Sequence, residues 1–238
     1  MSVDESIERP NGPEEGGEEL SQLLRARREK LAALQERGIE PFAYSFERTH
    51  TSADAIAAFE TLERGGAADG AAVEGPTARL AGRLTSWRSQ GKTAFAHLAD
   101  ADGRVQIYFR RDVLGDDTFA MLQQLVDIGD VVGVEGPMFR TRAGEVTLRA
   151  ERVQLLAKSL RPLPFAKEQT VDGQVVRYSG FKDPEQRYRQ RYADLAVHPE
   201  VRRTFVARAR MIASLNAGTS SGLRDVIRLP SSTTGLST

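Results

Sequence analysis

Phe95, Gln106 and Glu145 are the residues whose types and spacing suggest chemistry. Each sits in a stretch of strand period. Ala94, Ala96 and Leu98 alternate with Phe95 and His97. Val105, Ile107 and Phe109 alternate with Arg104, Gln106 and Tyr108, and Val146, Leu148 and Ala150 alternate with Glu145, Thr147 and Arg149. Successive side chains of a strand point to opposite faces, so burying the apolar sets turns Phe95, Gln106 and Glu145 outward together. An exposed aromatic face beside an amide, a carboxylate and several arginines is a platform for an unstacked base. The ring stacks, the amide both gives and accepts, the carboxylate accepts and a guanidinium donates. A single exposed Phe is commonplace; its polar flanks carry the argument. In the first candidate strand Leu80, Gly82 and Leu84 share one parity, and Arg88 shares it too. Arg88 joins the outer face only if a bulge or the strand's end precedes it.

Other motifs have plainer explanations. Ser86 to Thr93 reads S-W-R-S-Q-G-K-T, but Ser replaces the first Gly of a phosphate-binding loop, and the segment lies between two strands. Lys92 is expected on a barrel loop near a backbone phosphate. Asp100-x-Asp102-Gly103 resembles the start of a calcium loop, yet Arg111 stands where the twelfth-position Glu belongs, so a hairpin turn explains it better. His50, His97 and His198 share no metal-ligand spacing, and no metal is expected. His97 has the parity of the outer face; Trp87 reads as partly core.

The elements that must position this face follow from the pattern. Residues 77–157 hold five candidate strands, with a helical stretch, Asp112 to Ile128, between the third and fourth. Thr93–Asp100 and Arg104–Phe109 form a hairpin across Asp102-Gly103, and Asp130–Phe139 and Glu145–Leu156 another around Ala143-Gly144. That order predicts an α+β chain built on a five-stranded OB-fold β-barrel. Before it, residues 1–19 read as a disordered acidic arm, and 20–76 as helices and a linker. An amphipathic helix from Leu20 to Arg37, with Ser21 as cap, carries Arg25, Arg27, Arg28 and Lys30 as candidate phosphate contacts. Ser52 caps a second helix reaching Arg64. After the barrel come a linker over 158–182, two helices (Pro184–Leu195 and Pro199–Leu215) across 183–215, and a Ser/Thr/Gly-rich tail over 216–238, read as disordered.

Composition narrows the function class. The 238 residues carry 33 Lys+Arg and 33 Asp+Glu, so any electrostatic partner is met by a local patch. No cysteine is present, which excludes disulfides, thiolate nucleophiles and Cys-ligated metals. No apolar run approaches membrane-spanning length and no secretory core opens the chain, so a soluble cytoplasmic protein is expected.

Arg161-Pro-Leu-Pro164, the string Glu185-Gln-Arg-Tyr-Arg-Gln-Arg-Tyr-Ala-Asp-Leu195 and the opening Arg27-Arg-Glu-Lys-Leu31 helix resemble the bacterial-type class II lysyl-tRNA synthetases from about Leu20 to Leu215. The resemblance implies that the barrel binds the tRNA(Lys) anticodon, with Phe95 stacking on the central uridine and Gln106, Arg88 and Glu145 reading its edge. It also implies that 183–215 begin the class II catalytic domain, that ATP and Mg2+ are cofactors of the full-length enzyme, and that it is a homodimer, of whose motif only the first helix is recognisable here. After Leu215 the sequence departs from the family. The expected ATP-binding and lysine-binding motifs do not follow, as if truncated or frameshifted, so tRNA binding without charging is expected of this chain. The rival readings are a free-standing OB-fold protein that binds single-stranded nucleic acid, and a protein-interaction module using the Leu20–Arg37 helix.

Overall fold

A computed structural model describes residues 13–66, 74–164, 167–171, 174–178 and 181–216; for 13–19, 66, 167–171, 174–178 and 216 it describes backbone course alone. The chain divides into two compact units, residues 1–162 and 163–238.

The first unit opens with α1 (Pro13–Glu36) and α2 (Ser52–Gly66). The helix α1 starts earlier than expected. Residues 13–19, assigned to the acidic arm, form its first turns, and Ser21 lies inside it rather than capping it. The cap of α2 also shifts. The Thr51 hydroxyl accepts from the Asp54 amide at 3.2 Å, and Asp54 accepts from the Thr51 amide at 3.4 Å, a reciprocal capping box. Ser52 is fully buried, and both its amide and its hydroxyl donate to Asp100 at 2.7 Å.

The barrel follows: β1 (Thr77–Gln90), β2 (Thr93–Ala99), β3 (Arg104–Arg110), the short helices α3 (Arg111–Leu114) and α4 (Asp116–Leu125), then β4 (Val131–Arg140), β5 (Val146–Ala150) and β6 (Arg152–Ala157). The strand order β1-β2-β3-β5-β4-β6 closes because β1 also pairs with β4. The strands β5 and β6 are two halves of the fifth strand, interrupted at Glu151, whose amide donates to the Glu135 carbonyl. This is a five-stranded closed barrel of OB-fold type. The expected single helix after β3 is broken at Gly115, which takes φ 81°, a conformation open to glycine at little cost. The apolar parity sets, from Leu80 and Leu84 through Ala96, Ile107 and Phe109 to Leu148, fill the interior. At Gly136 the barrel wall is so tight that a Cβ would fall 1.8 Å from the Arg149 carbonyl oxygen, so no side chain fits there.

Asp100 ties α2 to the hairpin turn. Burial pushes its carboxyl up, but hydrogen bonds from Ser52, Asp102 and Gly103 outweigh burial and hold it below the ordinary range. A folded-state pKa below the unfolded value gives stability that is present above about pH 3.9 and lost as pH falls through the folded value. Asp100→Asn is therefore expected to cost about 1 kcal/mol at neutral pH. It should also remove that part of the acid limb, as read by urea unfolding at pH 7 and pH 3. The turn occupies the place of the calcium-loop lookalike, and its first carboxylate is taken by these donors.

In the second unit β7 (Lys167–Val171) and β8 (Gln174–Tyr178) form an antiparallel hairpin inside the segment expected to be linker. The helices α5 (Pro184–Arg189), α6 (Arg191–Val197) and α7 (Pro199–Asn216) follow, the expected first helix being split at Gln190. Asp194 is fully buried and collects Arg187, Arg191 and His198. The tail beyond 216, like residues 1–12 and 67–73, lies outside the described residues. No helix among the described residues is long and apolar enough to cross a membrane.

Candidate nucleic-acid interface

A cleft of about 370 Å³ on the barrel's outer face is lined by residues of β1, β2, β3 and the β4–β5 turn. Phe95 and Gln106 enter it from β2 and β3 because strand parity requires it. Arg88 enters because of a bulge. The β1–β2 register runs Leu84 against Leu98 and then Ser86 against His97, leaving Thr85 unpaired. The extra residue changes the side to which the rest of β1 points, so Arg88 stands opposite Phe95 while Trp87 turns toward Phe109, with ring centroids 5.2 Å apart. Arg88 is exposed and makes no hydrogen bond or ion pair with any described residue.

The aromatic part is backed from beneath. Phe95 is 37% exposed and stacks on Tyr108 of β3, with centroids 4.6 Å apart and planes 25° apart. Tyr108 in turn meets Phe139 at 6.1 Å. The polar part is linked into one chain. The Ser86 hydroxyl lies 2.7 Å from His97 Nδ1, and His97 Nε2 lies 3.1 Å from Glu145 Oε1. Glu145 Oε2 accepts from Gln106 Nε2 at 2.5 Å, and Gln106 Oε1 accepts from the Thr147 hydroxyl at 2.9 Å. Thr147, expected outward, is fully buried because this bond draws the carboxamide over it.

The turn carrying Glu145 is itself fixed. Thr141 accepts from the Glu145 amide at 3.1 Å, the Thr141 amide donates to the Glu145 carbonyl at 3.0 Å, and Arg140 reaches the Gly144 carbonyl at 2.6 Å. Gly144 takes φ 87° at the turn's tip. The site thus presents a ring face, one free amide N–H, spare carboxylate lone pairs and an unpaired guanidinium. These match a planar heterocycle with carbonyl acceptors flanking an N–H donor.

The structure brings together Arg88, Phe95, Gln106 and Glu145. It separates the expected phosphate contacts. Arg27 is buried and donates to the Ser159 and Ile128 carbonyls at 2.7 and 3.0 Å; Lys30 is held by Asp127 at 2.5 Å. Both fasten α1 to the barrel, so neither is free to meet a phosphate. Arg25 and Arg28 are exposed on α1, and Lys92 is exposed in the β1–β2 turn beside Gly91. Sequence reasoning did not assign Ser86, Tyr108 or Thr147 to the site. Parity already put Tyr108 with Gln106 and Thr147 with Glu145; Ser86 becomes visible only once the bulge is known.

Residues 78–156 match the tRNA_anti-codon family, described as an OB-fold nucleic acid binding domain. Curated relatives extend the similarity beyond the barrel. The lysine–tRNA ligase of Oceanobacillus iheyensis is 42% identical over 200 residues, covering 83% of this chain and 37% of that protein. That of Bacillus subtilis is 41% identical over 202 residues, 85% of this chain and 37% of the relative. That of Pelotomaculum thermopropionicum is 42% identical over 195 residues, 82% and 34% respectively. The chain therefore spans a little over a third of the length of the relatives it matches.

Proposed function

We infer that this chain, a homologue of the lysine–tRNA ligases that carries their OB-fold nucleic-acid-binding domain, recognises a tRNA by its anticodon. The observation that carries the reading is the convergence of Arg88, Phe95, Gln106 and Glu145 on one cleft of the barrel's outer face. In this reading Phe95 stacks on the central base, a uridine, and Glu145 accepts its N3–H. Gln106 and Arg88 donate to its carbonyls, and tRNA(Lys) is the partner. Arg25, Arg28 and Lys92 are the remaining candidates for the phosphate backbone.

Attachment of lysine, with ATP and Mg2+, is proposed for the longer protein, and no described residue of this chain is assigned to it. The same proposal places the protein in the cytoplasm. It makes the longer protein a homodimer through α7, whose Phe205, Met211, Ile212 and Leu215 are exposed. A free-standing single-strand binder is disfavoured, because the similarity runs through both flanks of the barrel rather than stopping at its edges.

Competition binding with the whole chain tests the reading. A tRNA(Lys) anticodon stem–loop should displace a labelled loop far better than a generic oligonucleotide of equal length. Gln106→Ala should lower affinity for the uridine-centred loop about 5- to 150-fold, the equivalent of leaving one buried polar partner unsatisfied. Equal competition by the two RNAs would refute the assignment.

A further inference from the structure

We propose that His97 is a positioning residue for base selection: it acts through the Glu145 carboxylate rather than by touching the base. The inference rests on the anticodon reading above and adds to it the source of discrimination between uridine and cytidine.

Glu145 stands in the turn just before β5 with its side chain 46% exposed, so packing alone does not fix its rotamer. Two bonds do. Oε1 meets His97 Nε2 at 3.1 Å and Oε2 meets Gln106 Nε2 at 2.5 Å. A carboxylate only accepts, so His97 Nε2 must carry the proton in that contact. Nδ1 is then set by the Ser86 hydroxyl at 2.7 Å, which fixes the ring's orientation from the neighbouring strand. His97 faces Gln106 across β2–β3 and Ser86 across β1–β2, so three strands determine where one carboxylate points.

The consequence is specific. Uracil gives a proton at N3; cytosine has a lone pair there. A carboxylate held in one orientation accepts the first and repels the second. One that turns freely can swing away from cytosine and lose the distinction. Preorganisation of this kind raises selectivity because the ordering cost is met before the ligand arrives. Gln106 alone does not suffice, since its amide is also asked to donate to the base.

The test measures dissociation constants of the whole chain for two synthetic anticodon stem–loops differing only in uridine or cytidine at the centre. The wild-type chain should prefer uridine by about 5- to 150-fold. His97→Phe keeps the ring and removes the donor; it should shrink that ratio about tenfold while melting near the wild-type temperature. His97→Gln, whose amide N–H can stand where Nε2–H stood, should restore the ratio to within about threefold of wild type. Should His97→Phe fold poorly, Ser86→Ala, which frees the ring, should lower the ratio in the same direction. In a double variant with Glu145→Gln, His97→Phe should add nothing further, because both act on one interaction.

A wild-type ratio retained in His97→Phe and in Ser86→Ala would overturn the inference and leave the anticodon reading standing. A wild-type chain with no preference, and with unchanged binding in Phe95→Ala, would remove that reading and the inference together.

Discussion

Lys158→Met is expected to lower the free energy of unfolding by about 3–5 kcal/mol. The Lys158 ammonium has no exposure to water. It donates to the Leu125 carbonyl at 2.8 Å, Asp127 Oδ2 at 2.6 Å and Asp130 Oδ2 at 2.7 Å. Asp130 is equally buried and also receives the Asp127 and Ser159 amides at 2.8 and 2.7 Å. Removing the ammonium leaves the Asp130 carboxylate in the interior with two backbone donors and the field of the Arg83 guanidinium, but with no cation bonded to it. Methionine fills most of the volume, so the loss measures the stranded charge rather than a cavity. The figure is the cost of breaking the group, not its net worth; an apolar cluster of the same shape would serve stability as well.

The cluster also fastens α1. Burial opposes the charge on Asp127, but Lys158 and Lys30 outweigh it and hold its carboxyl below the ordinary range. Its contribution is therefore present above about pH 3.9 and fades as pH falls through the lowered value. Because the surviving Lys30 pair is partly exposed, Lys30→Ala should cost only about 0.5–1 kcal/mol. Lys158→Met combined with Asp130→Asn should cost less than the sum of the two, since one stranded charge is then neutralised. Urea unfolding followed by circular dichroism measures the wild type and all four variants. A loss below about 1 kcal/mol for Lys158→Met would mean that water reaches the site.

This cluster shows why part of the molecule was not legible in the sequence. Arg27 and Lys30 have the look of a basic helix face because their partners lie 132, 101 and 97 residues away. Local pattern fixes which side of a helix is polar, not whether that side meets solvent. Ser52 has the local signature of a helix cap but yields the role to Thr51, because Asp100 draws its hydroxyl inward. By contrast, period two was enough to bring Phe95, Gln106 and Glu145 to one face, since the alternation is carried by each strand alone. Arg88 needed more: its side depends on the unpaired Thr85, a property of the pairing between β1 and β2. The β7–β8 hairpin was missed because Lys167 to Tyr178 is mostly polar and lacks the apolar alternation of a half-buried strand.

Phe95→Ala is expected to weaken binding of the whole chain to the anticodon stem–loop about 5- to 150-fold, the equivalent of ~1–3 kcal/mol of stacking. Phe95 is the one phenyl ring lining the cleft among the described residues, and Tyr108 supports it from behind at 4.6 Å. In the proposed reading, truncation leaves the base above a gap where the Phe95 ring stood. The loss should be nearly the same for uridine and cytidine, because every base offers a π face and the edge-reading groups remain in place. This is the reverse of Gln106→Ala, which should lower selectivity along with affinity. Since a ring carries no charge, the slope of log affinity against log salt should not change in Phe95→Ala. Lys92→Ala, which removes a proposed phosphate contact, should reduce that slope by about one while leaving base preference intact. Phe95→Trp should bind at least as tightly as wild type, having more face to offer. If Phe95→Ala binds like the wild-type chain, the base does not rest on this ring, and the outer face must be assigned to some other ligand.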